Sequence, residues 1–147
     1  MPAAIFNDFA GLVWLGTGGA ATTLSGLASL RGHRRMRSVY VSITGFRLNG
    51  WWHWPRFWWH TLRSIAQARR AHGNLRVEAR IINGVHHTLT IWTDERAMRA
   101  FLTVGAHLNA MKAYRSLGSG RTLGFAAHQP PDWEAALHRW ITEAREV

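Results

Sequence analysis

With no cysteine in the chain, its nine histidines are the side chains best suited to proton transfer or soft metal ligation near neutral pH. His107 is the foremost candidate for acid–base catalysis or for haem ligation, since a neutral imidazole can do either. In a straight helix it would point away from the apolar stripe of Met98, Phe101 and Gly105. It therefore reaches a cavity only where the chain bends near Gly105 or where a partner covers it. Tandem His86-His87 opens a strand, so alternation sends one ring to each face of the sheet. His87 is assigned to the pocket, against the plainer reading of both as solvent-facing hairpin residues. His53 and His60 flank a tryptophan-rich stretch, and His60, at the start of a helix, is placed at the pocket mouth. No histidines stand at His-Glu-x-x-His spacing and no carboxylates cluster, so no metal site is expected. A Gly-x-Ser-x-Gly elbow is absent, which leaves Ser-His-Asp chemistry without support. Gly16-Thr-Gly-Gly-Ala follows no strand and is a weak dinucleotide signature.

Between Gly50 and His60 lie five of the nine tryptophans: Trp51, Trp52, Trp54, Trp58 and Trp59. A helix needs one apolar stripe for its own core, so indoles on several sides must also serve a cavity, a partner chain or a lipid interface. Trp58, with Trp92 and Phe101, is assigned to a substrate pocket. Trp51, Trp52, Trp54 and Arg56 are assigned to a membrane or partner interface, and the plainer alternative is ordinary core plus a dimer contact. The formal charge is +10, and no Asp or Glu occurs between Phe9 and Val77. Such a field favours anionic lipid, nucleic acid or an acidic partner. Nucleic acid carries less weight, because the arginines surround an apolar segment instead of lining a strand platform.

At 147 residues the chain suits one domain with a single core, which the patterning places at residues 38–147. Residues 1–37 form a hydrophobic, glycine-rich segment with a basic flank. Phe9 to Leu30 is uncharged and is followed at once by an arginine-rich run, so three readings stand together. The segment is a weak membrane or interfacial helix, a soluble appendage, or sequence upstream of a true start at Met36. The expected location is the cytoplasm, in association with a membrane.

From Ser38 the pattern is orderly. Val39, Val41 and Ile43 alternate in a strand, and Pro55 opens a helix ending near His72-Gly73-Asn74. Leu75–Ile82 and Val85–Trp92 are strands joined by the hairpin signal Asn83-Gly84. Thr93-Asp94-Glu95 caps a helix with Met98, Phe101, Leu102, Gly105 and Leu108 in one stripe. Arg121–His128 is a fourth strand, and Pro130-Pro131-Asp132 starts a last helix with Trp133, Ala136, Leu137, Trp140 and Ile141 inward. This order predicts an α+β, ferredoxin-like split βαβ: a four-stranded antiparallel sheet with two helices on one face. The other face must pack against a second copy or under the terminal helix, and a homodimer is the economical expectation.

Thr88-Leu-Thr-Ile-Trp-Thr-Asp-Glu-Arg-Ala-Met-Arg-Ala-Phe101, followed by Gly105-Ala-His-Leu-Asn-Ala-Met111, resembles the antibiotic-biosynthesis-monooxygenase type of dimeric α+β barrel. Within that superfamily the chain is most similar to small domains related to spheroidene monooxygenase and to a group of similar length with no assigned activity. The resemblance covers about Ser38 to Trp133 and is more specific for fold than for chemistry. It implies a dimeric barrel with Trp92 bordering a pocket. It also implies one of several activities: cofactor-free quinone-forming oxygenation, haem degradation or haem-dependent chemistry, while other members have no assigned activity. The expected function is a monooxygenase acting on a hydrophobic small molecule, polyene or polycyclic, with haem as the cofactor of a haem-dependent version. The alternative is a non-catalytic dimeric domain of the same fold that binds a ligand or partner.

Overall fold

The computed structural model describes residues 38–147, so the readings of the segment before Ser38 lie outside the described residues. β1 (Val39–Leu48) leads through a 3-10 turn (Trp51–His53) into α1 (Trp54–Arg70), with Pro55 in its first turn, where a missing N–H costs nothing. β2 (Asn74–Ile82) and β3 (Val85–Trp92) follow as a hairpin. Its turn has Asn83 at φ 51° and Gly84 at φ 74°, both left-handed as a type I′ turn demands. α2 (Glu95–Leu102) is capped by Asp94, whose Oδ1 accepts the Ala97 N–H at 2.8 Å. α3 (Gly105–Leu117), β4 (Gly118–Ala127), α4 (Trp133–Glu143) and a short β5 (Arg145–Glu146) complete the order.

The strands run β2-β3-β1-β4-β5, all antiparallel, with Thr44 opposite both Thr88 and Thr122. The first four strands have the expected ferredoxin-like arrangement. β5 is an addition, and β4 begins at Gly118, three residues before the Arg121 start expected from the sequence. The single helix expected after Asp94 is two helices, broken at Thr103–Gly105. Gly105 sits at φ 63°, in the left-handed region that a right-handed helix cannot continue through.

Each face of the sheet has its own cover. Val39, Val41 and Ile43 of β1, with Leu89 and Ile91 of β3, pack under Trp133, Ala136, Trp140 and Ala144. Of the two covers expected for this face, the terminal helix α4 packs on it from within the chain. The opposite face meets α1, α2 and α3 through two separate clusters. Phe46, Phe57, Ala113 and Leu117 hold one end, and Ala68, Trp92, Met98 and Phe101 hold the other.

Candidate functional site

Between those two clusters the helix-facing side of the sheet carries no large apolar side chain. Alternation from Tyr40 to Phe46 places Ser42 and Thr44 there on β1, and the register adds Thr88 from β3 and Thr122 from β4. All four are half-buried instead of sealed. A hydroxyl floor of this kind offers donors and acceptors to a bound molecule without charge.

His86 stands at one end of that row, opposite Phe46 in the register and two residues before Thr88. Its ring lies 4.6 Å from Phe57, 5.8 Å from Trp58 and 6.0 Å from Trp54, centroid to centroid. It is half-buried and has no hydrogen-bond partner among the described residues. Burial, and secondarily the neighbouring His87, pushes its pKa below the ordinary histidine value, so the imidazole is uncharged at neutral pH. Tyr114 flanks the same aromatic group, 4.7 Å from Phe46, and its hydroxyl lies 3.4 Å from Thr61 Oγ1. Burial raises the Tyr114 pKa, so the phenol keeps its proton. The arrangement is an apolar cage around an imidazole of lowered pKa, beside hydroxyls able to donate to and accept from a bound molecule.

The residues singled out from the sequence fall into separate places. Trp58 belongs to the cage around His86. Trp92 is fully buried, donates its Nε1–H to Thr90 Oγ1 at 2.9 Å and lies 5.1 Å from Phe101. Phe101 also lines an open cleft of about 690 Å3 between the end of α1 and the α2–α3 junction, with Arg63, Gln67, Arg70 and Gly105. His60 is half-buried on α1, its pKa lowered by partial burial and then by Arg56 and Arg63. His87 occupies the opposite face of the sheet, its ring edge-on to Trp140 at 4.6 Å. Gly45 permits that meeting, since a Cβ there would fall 2.4 Å from the Trp140 ring. Trp58, Trp92 and His87 thus do not share one pocket. Trp51, Trp52 and Arg56 are exposed, whereas Trp54 turns back against Trp58.

His107 receives the bend near Gly105 that its sequence position required, and it turns inward to lie 4.5 Å from Phe101. Its Nδ1 is sealed without a partner among the described residues, and burial lowers its pKa, partly offset by the Leu102 backbone. The sealed Nδ1 is therefore not the nitrogen facing open space that an axial haem ligand needs. Among the described residues no group of three or more His, Cys, Asp or Glu is placed to hold a metal ion. Nor is any described helix long and apolar enough to cross a membrane. His86 is the site residue that the sequence pattern did not single out. Counting alternate residues back from Trp92, which must face the helices, would have found it.

No family model and no curated protein matches the sequence. Solved structures do resemble it. SnoaB, a cofactor-independent oxygenase from Streptomyces nogalater, is 23% identical, with a TM-score of 0.52 over 65% of this chain and 99% of that one. A putative antibiotic biosynthesis monooxygenase from Nitrosomonas europaea is 14% identical, with a TM-score of 0.53 over 68% and 93%. A possible oxidoreductase from Bacteroides thetaiotaomicron is 11% identical, with a TM-score of 0.56 over 62% and 99%. At these identities the likeness shows the fold: the α+β, ferredoxin-like architecture of antibiotic-biosynthesis-monooxygenase-type proteins.

Proposed function

We propose that the chain is a monooxygenase-like enzyme for a hydrophobic, conjugated small molecule, with His86 as the catalytic base. The observation that carries this reading is the position of the His86 ring, caged by Trp54, Phe57 and Trp58 and without a hydrogen-bond partner among the described residues, where burial holds its pKa below the ordinary histidine value. Flat polycyclic surface stacks on such rings, and a phenolic or enolic proton directed at His86 can be removed there. The resulting anion is electron-rich enough to reduce O2 directly. Oxidation of a ring CH2 to C=O consumes one O2 and releases one water, with all four electrons drawn from the substrate. That balance needs no bound cofactor, in keeping with the cofactor independence stated for SnoaB.

The test is oxygen uptake with a panel of polycyclic phenols and anthrones. His86→Gln keeps the ring's approximate volume and polarity but cannot accept the proton, and is expected to lower kcat by about 100-fold or more. His107→Leu is expected to leave turnover in place. Parent protein that binds the panel, read by quenching of tryptophan emission, but consumes no oxygen would replace this reading with ligand binding alone. One observation favours that second reading: the rings around His86 bring no cation to stabilise an oxyanion.

A further inference from the structure

The chemistry above uses the inner side of α1 and leaves its outer side unexplained. Trp51, Trp52 and Trp59 are 80, 63 and 61% exposed, and Leu62 is exposed beside them. Position 52 is followed at helical spacing by Arg56, Trp59 and Arg63, so indole and guanidinium alternate along one face. The indoles are held in place: Trp51 and Trp52 meet edge to face at 6.2 Å, and the Trp52 ring lies against Gly50, where a Cβ would come within 2.5 Å. Arg63 lies over the Trp59 ring at 5.3 Å. Large apolar side chains left bare in a monomer mark a site of contact, and no acid interrupts this one.

We propose that this face docks on an anionic lipid bilayer, with the indoles at the headgroup level and Arg56 and Arg63 on lipid phosphates. Tryptophan and arginine on one helical face match the two layers of a membrane interface: amphipathic at the headgroups, negative at the surface. A second copy fits less well. A two-fold contact through this face would set Arg56 and Arg63 against their own counterparts with no carboxylate between them. Trp54 and Trp58, on the other side of the same helix, wall the His86 cage, so docking would bring that cage close to lipid-dissolved molecules. The docking itself does not depend on turnover.

The experiment is co-sedimentation of the full chain with vesicles of mixed phosphatidylglycerol and phosphatidylcholine, and with phosphatidylcholine alone. The expected result is stronger binding to the mixed vesicles, weakened by salt, with a blue shift of tryptophan emission. Replacing Trp51, Trp52, Trp59 and Leu62 together by Ser should reduce partitioning by about tenfold or more, because binding follows buried apolar area. Arg56→Gln and Arg63→Gln should each cost about fivefold on the mixed vesicles only. These positions are exposed, so unchanged circular dichroism is the control for folding. Parent protein that stays in solution overturns the proposal, as does a Ser variant that binds as well as the parent, which would move the anchor to another part of the chain. Two further outcomes also overturn it: self-association lost in the Ser variant without any vesicle binding, or single-stranded oligonucleotide bound in preference to vesicles. His86→Gln should sediment like the parent, which separates failure of docking from failure of the catalytic reading.

Discussion

A histidine works as a base only when it is neutral and can be reached. Burial lowers the pKa of His86, His87 and His107 alike, but Nδ1 of His87 and of His107 is sealed. His86 combines a lowered pKa with access and, unlike His60, stands inside the aromatic cage, and its neighbours on the strand explain why. His86, Thr88, Thr90 and Trp92 share the helix-facing side, where small hydroxyls leave room, whereas His87 faces the packed aromatics of α4. Trp92 illustrates the difference between bordering a pocket and building a core. Its indole N–H is bonded to Thr90 Oγ1, which passes a bond on to the Ser42 carbonyl at 3.3 Å. Trp92→Phe should therefore lower stability by about 1 kcal/mol through the lost hydrogen bond while leaving ligand affinity unchanged. Urea denaturation reads the first effect and fluorescence titration the second. A large loss of affinity at unchanged stability would return Trp92 to the ligand site.

The helices show where periodicity stops being informative. Met98, Phe101, Gly105 and Leu108 fit one continuous stripe, so the chain reads as one helix; the break depends on a residue from another element. Gln67 of α1 accepts the His107 N–H at 3.0 Å and donates to the Val104 carbonyl at 2.9 Å. It does for α3 what Asp94 does for α2, because Val104 stands at the cap position with no side-chain acceptor. A cap supplied from about forty positions away leaves no local pattern, whereas Asp94 and Asp132 were legible as caps from their own neighbours. Gln67→Ala is expected to cost about 1–2 kcal/mol, the usual worth of a lost cap with one partner left unbonded. Gly105→Ala should cost about as much through its left-handed φ of 63° and a Cβ 2.8 Å from Gln67 Oε1. Because the two sites touch, the double variant should lose less than the sum. Strict additivity, measured by denaturation of the three variants, would mean that Gln67 does not brace this junction.

At the scale of the molecule, strand alternation and the Asn83-Gly84 turn were enough to read the sheet order, and two covers for the second face could be stated but not decided. The deciding fact is packing: Trp133 and Trp140 lie on β1 and β3 from within the same chain, with Trp140 Nε1–H bonded to the Arg121 carbonyl at 3.1 Å. The three histidines are spread over this architecture, His86 against the Phe57 end, His87 under α4 and His107 beside Phe101, so their titration reports on the whole fold. Each has a folded pKa below the unfolded value of about 6.5, chiefly because burial penalises the cation. Above that pH neither state binds the protons and stability is at its full value. As pH falls below it the unfolded chain takes up protons that the native state refuses, so stability declines until the folded pKa values are passed. Asp94, whose carboxylate is held below its usual range first by the Ala97 N–H, adds a separate loss only at more acidic pH. The urea midpoint should therefore fall between about pH 7.5 and about pH 5.5, before any carboxylate titrates. His87→Gln removes one of these protons and should make that fall shallower, even though its starting stability is lower. A midpoint constant over this interval would show that these imidazoles charge freely in the folded protein, and would remove the neutral base on which the chemistry rests.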